Sequence, residues 1–352
     1  MTGLFLSVDE FTPDRLSPVL GGTVRSVGIE RIGTGQIGLC YRLTLAGDDV
    51  PSTLVAKLPA SDEATRRMLA GAYRGEARFY SDIASSVAVR TPACYHVALG
   101  ADGEFTLLLE DAAPARPGDQ LSGCDPDEAH DAVRNLAGLH GPRWCDPGLH
   151  ELDWLTPTDG AQARLLAELY GQAIEASFEG LGDIVAAGDR DTLRACADVT
   201  EAWALARTRR FALLHGDYRL DNLLFPPGGE AGVVAVDWQT LTVGLPARDL
   251  SYFIGTGLSI PARREHEKAL LATYHRALLC HGVDGYGLRE CWDDYRFAML
   301  QGPLVSVFGY AYGTRTERGD RMFAAMLARS CAAIRDLDSL TVVAQNVGRR
   351  HG

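Results

Sequence analysis

The sequence predicts an α+β fold in which strands come first and helices follow. Before residue 113 the apolar residues fall in short, alternating runs rich in strand formers. From Pro126 onward they recur at helical spacing. Far along the chain, two further apolar runs break off at carboxylates: Phe211–Leu214 runs into His215-Gly216-Asp217, and Val233–Val236 stops at Asp237. A strand that ends in a carboxylate presents that group where the backbone leaves the core.

The opening 25 residues predict a short helical lead-in broken at Pro13 and Pro18. They carry no basic segment and too short an apolar run for a secretory leader. Next, Gly33-Thr34-Gly35-Gln36-Ile37-Gly38 matches G-x-G-x-x-G. A dinucleotide-binding fold would open a helix after the last glycine. Here Leu39–Leu45 alternates like a strand, which predicts a hairpin turning over a nucleotide, or one with no ligand. The strand Thr53–Leu58 holds Lys57 in an apolar setting. The chain has only two lysines, Lys57 and Lys268, among 34 basic residues, so a lysine inside a strand is a signal in itself.

Ser61 is expected to cap a helix running to about Ala84, with Met68, Leu69, Ala72, Phe79, Tyr80 and Ile83 as its apolar stripe. Glu76 falls on that stripe, and a carboxylate on a buried face needs a partner. Lys57 is the expected one, with Arg74 or Arg78 as the alternative. Strands over Cys94–Ala98 and Phe105–Leu109 follow, then helices over 126–140, 160–180, 189–207, 261–281, 289–302 and 318–337. Gly309 to Gly313 reads as a break.

A formal charge of −12 argues against a nucleic-acid partner, whose phosphates need a basic face. No apolar run is long enough to span a membrane. Eight scattered cysteines without a C-x-x-C pair read as reduced thiols of a cytoplasmic protein.

The chemistry concentrates in HGDYRLDNLLF and the following GVVAVDWQ. Phosphoryl transfer needs a base beside the attacking hydroxyl and oxygen ligands for Mg²⁺. Asp-x-x-x-x-Asn puts a base, Asp217, and an amide oxygen, Asn222, on one loop, and Asp237 supplies a second oxygen ligand. His215 is read as an orienting partner, His140 as structural, Asp221 as a solvated turn residue and Asp249 as a brace for the loop.

These motifs resemble the catalytic loop and metal-binding segment of protein kinases. His-Gly-Asp for His-Arg-Asp, and Asp-Trp-Gln for Asp-Phe-Gly, are more similar to the aminoglycoside phosphotransferase and choline kinase superfamily, including bacterial ecdysteroid-kinase-like members. The resemblance covers nearly the whole chain. It implies a bilobal protein-kinase-like fold, with a small antiparallel-sheet lobe over 1–113 and a mostly helical lobe over 114–352. It implies ATP held by Gly33, Gly35, Gly38 and by Lys57 set by Glu76, and adenine bound by backbone groups near Glu110 and Ala112. Mg²⁺ would lie on Asn222 and Asp237. The implied activity is a small-molecule kinase acting on a hydroxyl. Only nine residues separate Gln239 from Asp249, too few for the activation loop of a protein kinase. Two alternatives stay open: an aminoglycoside O-phosphotransferase and a non-catalytic nucleotide-binding pseudokinase. Near-balanced charge over 290–340, with Trp292, Tyr295, Phe297, Phe308, Tyr310, Tyr312 and Phe323, favours a partly apolar acceptor over a polycation.

Overall fold

Residues 3–33, 38–155 and 157–348 are described by a computed structural model. The chain divides into two compact units. The first comprises Met1–Ser86, Thr91–Pro114 and Val236–Leu241; the second comprises Val87–Arg90, Ala115–Ala235 and Thr242–Gly352. The segment carrying Asp237 therefore belongs to the first unit, although more than a hundred residues of the second unit precede it in sequence.

In the first unit, helix α1 (Pro13–Leu20) precedes strands β1 (Thr23–Ile32), β2 (Leu39–Asp48) and β3 (Thr53–Leu58). The prolines do not break the lead-in. Pro13 occupies the first turn, where its missing N–H costs nothing, and Pro18 lies within the helix, which ends at Gly21 in the left-handed region (φ 72°). Strands β4 (Cys94–Leu99) and β5 (Phe105–Glu110) complete an antiparallel sheet of order β1-β2-β3-β5-β4. Leu43, Leu45, Leu54, Ala56, Leu58 and Leu108 bury one face of it against Phe5, Phe11 and Leu16.

The single helix expected over 61–84 is instead several pieces. Asp62, not Ser61, is the cap: its side chain accepts from Thr65 N–H at 2.8 Å. Helix α2 (Glu63–Met68) stops at Leu69, whose backbone sits at φ −92°, ψ 4°. Helix α3 (Ala70–Arg78) then runs into a π-helical turn over Phe79–Ile83. The break puts α2 out of phase with α3. Met68, expected on the buried stripe, is 77% exposed, while Glu76, Phe79, Tyr80 and Ile83 are buried as the later part of the stripe predicts.

The second unit is mostly helical. Strand β6 (Arg116–Pro117) leads to α4 (Pro126–His140), capped by Asp125, then α5 (Gly160–Leu181), with a capping box of Asp159 and Gln162, and α6 (Ala187–Ala204). Four short strands follow: β7 (Ala212–Leu214), β8 (Leu223–Phe225), β9 (Val234–Ala235) and β10 (Thr242–Gly244). They form two small sheets, β10-β7 and β6-β8-β9. Helix α7 (Ala247–Gly257) is buried on nearly every face, which suits its apolar sequence.

Helices α8 (Ile260–Cys280), α9 (Leu288–Ala298), α10 (Gln301–Tyr312), α11 (Glu317–Asp336) and α12 (Ser339–Gly348) complete the chain. The break expected over Gly309 to Gly313 falls at the end of that range, where α10 stops at Tyr312 and Gly313 caps it, and not at Gly309. This glycine lies inside α10 because the Phe323 ring packs where a Cβ would be, at 2.5 Å. Helices α10 and α12 were not expected from the sequence, and the helix expected over 289–302 ends at Ala298 as α9. No helix among the described residues is long and apolar enough to cross a membrane.

Candidate active site

Pairing of β2 with β3 sets Cys40 opposite Lys57, and pairing of β3 with β5 sets Lys57 opposite Leu107. Lys57 is buried within this sheet, so its ammonium needs compensating charge. Nζ donates to Glu76 Oε1 at 2.8 Å, lies 2.7 Å from Glu76 Oε2, and lies 3.1 Å from Asp237 Oδ1. Arg74 and Arg78 are not the partners of Glu76; Arg78 pairs with Asp82 on the exposed side. Burial acts to lower the Lys57 pKa. The Glu76 and Asp237 carboxylates outweigh it and hold the pKa above the ordinary lysine range, so the group stays charged. One cation against two carboxylates leaves the cluster one net negative charge. Asp237 is its solvent-facing member, with a side chain 40% exposed.

Of the expected glycine loop, Gly35 and its neighbours 34–37 lie outside the described residues. Gly33 takes φ 71°, in the region that favours glycine, and a Cβ on Gly38 would stand 3.0 Å from Leu58 O. Glu110 closes β5. Its N–H donates to Ala93 O at 2.8 Å and its carboxylate accepts from Ala93 N–H at 3.0 Å, so the Glu110 amide is already engaged. Ala112 lies just beyond the strand, next to Asp111, which forms a two-bond ion pair with Arg42.

In the second unit, residues 215–222 form a loop held from below by one buried carboxylate. Asp249, near the start of α7, accepts from His215 N–H at 2.6 Å and Gly216 N–H at 3.0 Å. His140 Nε2 is 3.4 Å from the same carboxylate, and His140 Nδ1 meets Tyr274 OH at 2.7 Å. Gly216 at φ 81° lets the chain turn there. Asp217 N–H faces His215 Nδ1 at 3.3 Å.

The Asp217 carboxylate is surrounded by donors. Asn222 Nδ2 donates to its Oδ2 at 3.0 Å and to its backbone oxygen at 2.9 Å. Arg219 Nε lies 3.2 Å from Oδ2. Tyr252 OH donates to Oδ1 at 2.8 Å. Burial and the adjacent Asp217 charge push the Tyr252 phenol well above its ordinary pKa, so it remains a donor.

Tyr252, Arg219 and the role of Asp221 were missed by sequence reasoning. Tyr252 left a signal: it follows Asp249 by three residues, which places both on one face of α7. Asp221 is not a solvated turn residue. Its Oδ1 accepts from Gln120 N–H at 3.1 Å, and Arg318 of α11 reaches both its oxygens at 3.0 and 3.1 Å while also meeting Asp119. Gln120 in turn accepts from Leu220 N–H at 2.9 Å. Beside Tyr252 lie Met322 and Met326, with Leu121, Val305 and Phe323 packed against them, and Arg219 Nη1 lies 3.4 Å from Met322 Sδ.

Three of the aromatics expected near an acceptor are core instead: Tyr295, Phe297 and Tyr310 are buried. Much of the charge over 290–340 is spent on internal pairs, Asp294 with Arg207 and Arg210, Asp320 with Arg315, and Asp336 with Arg263 and Arg264. Balance in composition is therefore not free surface charge.

Asn222 and Asp237 each carry the kind of oxygen donor that Mg²⁺ takes. Among the described residues no cluster of three His, Cys, Asp or Glu side chains forms a cage, and Mg²⁺ ordinarily uses one or two carboxylates plus substrate phosphates. Asn222 spends its amide nitrogen on Asp217, so what it has left to offer is an acceptor, the amide oxygen.

Solved structures with the same fold include choline kinase from Cryptosporidium parvum, with TM-score 0.55, 8% identity, and coverage of 90% of this chain and 91% of that one. Another is Plasmodium vivax ethanolamine kinase, with TM-score 0.54, 12% identity, and coverage of 89% and 83%. A third is the gentamicin complex of APH(2″)-IIa, with TM-score 0.50, 14% identity, and coverage of 94% and 99%. These likenesses show the protein-kinase-like fold. Among curated proteins, acyl-CoA dehydrogenase family member 10 of Mus musculus is 44% identical over 48 residues, and member 11 of Gallus gallus is 55% identical over 42. The matched stretches cover 14% and 12% of this chain but only 4% and 5% of those proteins. The phosphotransferase enzyme family matches residues 28–292, most of the chain and both units. By that match, and with this fold, the chain belongs to the phosphotransferase enzyme family.

Proposed function

We propose that the protein is a small-molecule kinase that transfers the terminal phosphoryl group of ATP to a hydroxyl of a partly apolar acceptor, with Mg²⁺ as cofactor. Lys57, set by Glu76, holds the phosphates under the glycine loop, and backbone groups near Glu110 and Ala112 bind adenine. Asp237 and Asn222 are the residues that would hold Mg²⁺, and it would supply neutralisation of charge on the phosphates. Asp217 orients the acceptor hydroxyl and takes its proton as the oxygen attacks the terminal phosphorus and the bond to the leaving ADP breaks. The free thiols support a cytoplasmic setting.

The observation that carries this reading is the Asp217 carboxylate, oriented by Tyr252 and Asn222 on a loop whose backbone is fixed by Asp249. A base must be held within hydrogen-bond reach of the proton it takes, and such bracing serves that need. The acceptor class is supported by the neighbours of Tyr252. Leu121, Val305 and Phe323 are apolar and only partly buried, packed over the core methionines Met322 and Met326, and the charged group next to Asp217 is a guanidinium. An aminoglycoside, being polycationic, would call for carboxylates there.

The test is ADP release by the purified protein with ATP and Mg²⁺. Hydroxylated lipids, steroids, macrolides and hydroxyacyl thioesters are compared with kanamycin-like aminoglycosides. Turnover with one of the first set is expected. Turnover with aminoglycosides alone overturns the acceptor class, and nucleotide binding without turnover on any hydroxyl marks a pseudokinase.

A further inference from the structure

Asp237 is followed by Trp238 and Gln239, and neither has a role in the reaction above. Both side chains are buried, and both turn toward the helix that bears Glu76. Gln239 Nε2 donates to Glu76 Oε2 at 3.2 Å. Trp238 N–H points to Glu76 Oε1 at 3.4 Å. The Trp238 ring stacks on Phe79, three residues beyond Glu76, with centroids 3.7 Å apart and planes 8° from parallel. Its indole N–H donates to Thr91 Oγ1 at 3.0 Å, and that hydroxyl also lies 3.3 Å from Tyr80 OH. Glu76 thus receives Lys57 on one side and the Trp238–Gln239 segment on the other, all within the first unit.

From this geometry we infer that Trp238 and Gln239 are positioning residues that pin Glu76, and through it Lys57 and Asp237, in the phosphate-holding arrangement before nucleotide arrives. In kinases that are switched, the Lys–Glu pair and the metal-binding Asp must both be in place, and a long activation segment controls this. Here nine residues separate Gln239 from Asp249, so the control has to be internal. A ring stacked on the helix and an amide bonded to its carboxylate supply it.

Gln239 could instead be a cation ligand, being two residues from Asp237. The orientation argues otherwise. Its amide nitrogen is given to Glu76, and its amide oxygen is buried and accepts no hydrogen bond among the described residues. The two roles also respond oppositely to a carboxylate. A cation ligand is kept or improved by Gln239→Glu. A partner of Glu76 is ruined by it, since two buried carboxylates would then face each other at the distance of the present hydrogen bond.

The inference rests on the nucleotide-site reading of Lys57 and Asp237, and the experiment separates the two. Full-length wild type, Gln239→Ala, Gln239→Glu and Trp238→Phe are compared by calorimetric ADP binding with and without Mg²⁺, and by amide hydrogen exchange over 70–83 in nucleotide-free protein. Gln239→Ala should weaken ADP binding on the order of tenfold and speed exchange over 70–83, with the acceptor KM unchanged. Gln239→Glu should lose more than Gln239→Ala. Trp238→Phe keeps the stack but loses the Thr91 bond, and should show a smaller version of the same pattern. Wild-type exchange and ADP affinity in Gln239→Ala would overturn the inference, as would ADP binding in Gln239→Glu equal to wild type or tighter in Mg²⁺. Failure of wild type to bind ADP strikes the nucleotide-site reading, while the nucleotide-free exchange data still decide the latch.

Discussion

The two units each hold a charged centre, and they are built on opposite plans. In the first, a buried cation is gripped by two carboxylates, so Lys57 cannot change its charge or move far. In the second, a carboxylate is surrounded by donors, so Asp217 is aimed while its oxygens stay available as acceptors. The first plan fixes a cation in place but leaves one negative charge over, so it would take a polyanion only together with a further cation. The second suits receiving a proton. The difference is one of surroundings: the chain encloses a lysine with acids and an acid with donors, and under the proposed function the first would serve binding and the second the chemistry.

The sharpest way to break the comparison is Asp217→Asn. It keeps the shape of the side chain but replaces one accepting oxygen with a donor and removes the proton acceptor. Turnover should fall by ~10²–10⁴ while ADP binding persists. Asp221→Asn, which touches only the Arg318 and Gln120 contacts, should do much less. Larger damage from Asp221→Asn would show that the register of the loop is misread.

Next in size is Lys57→Arg. The forked guanidinium is bulkier than an ammonium and cannot sit 2.7 Å from Glu76 and 3.1 Å from Asp237 without displacing one of them. A misplacement of that kind costs about 10²-fold in rate. Lys268→Arg, whose ammonium lies over the Trp292 ring, should stay within about 0.5 kcal/mol of wild-type stability and leave activity alone. Equal kinetics in the two variants would remove the argument from lysine rarity.

The metal half is probed by Mg²⁺ titration. Asp237→Ala should weaken Mg²⁺-dependent nucleotide binding more than Asn222→Ala, because a carboxylate is the stronger ligand for a hard cation. Equal, small losses would take Asp237 out of the metal site. The mildest change is Tyr252→Phe, which removes one donor from Asp217. Turnover should drop roughly tenfold, the scale of one hydrogen bond to a charged group, with the nucleotide KM unmoved. A rise in nucleotide KM instead would mean that Tyr252 serves the first centre as well as the second.

Residue types and local spacing were legible before any coordinates. Asp-x-x-x-x-Asn, an isolated lysine in an apolar strand and a glutamate on a buried stripe each break a local pattern, and a broken pattern needs a reason. Element order was legible for the same cause, since periodicity and caps act over a few residues. The prediction failed where a distant contact overrode the local signal. Gly309 did not end a helix, because Phe323 fills the space its missing Cβ leaves. Leu69 divided a helix whose stripe seemed continuous. Tyr295 and Phe297 went to the core rather than to a binding surface.

The sequence by itself therefore determined which side chains stand out as candidates and, up to the last helices, in what order the strands and helices come. Only the tertiary structure decided what those groups touch. Tyr252 reaches Asp217 across 35 positions, Arg318 reaches Asp221 across 97, and Gln239 reaches Glu76 across 163. The physical reason is range. Propensity, capping and amphipathic spacing act within a few turns of the chain. A buried carboxylate takes whatever donors packing brings to it, and sequence separation places no limit on which those are.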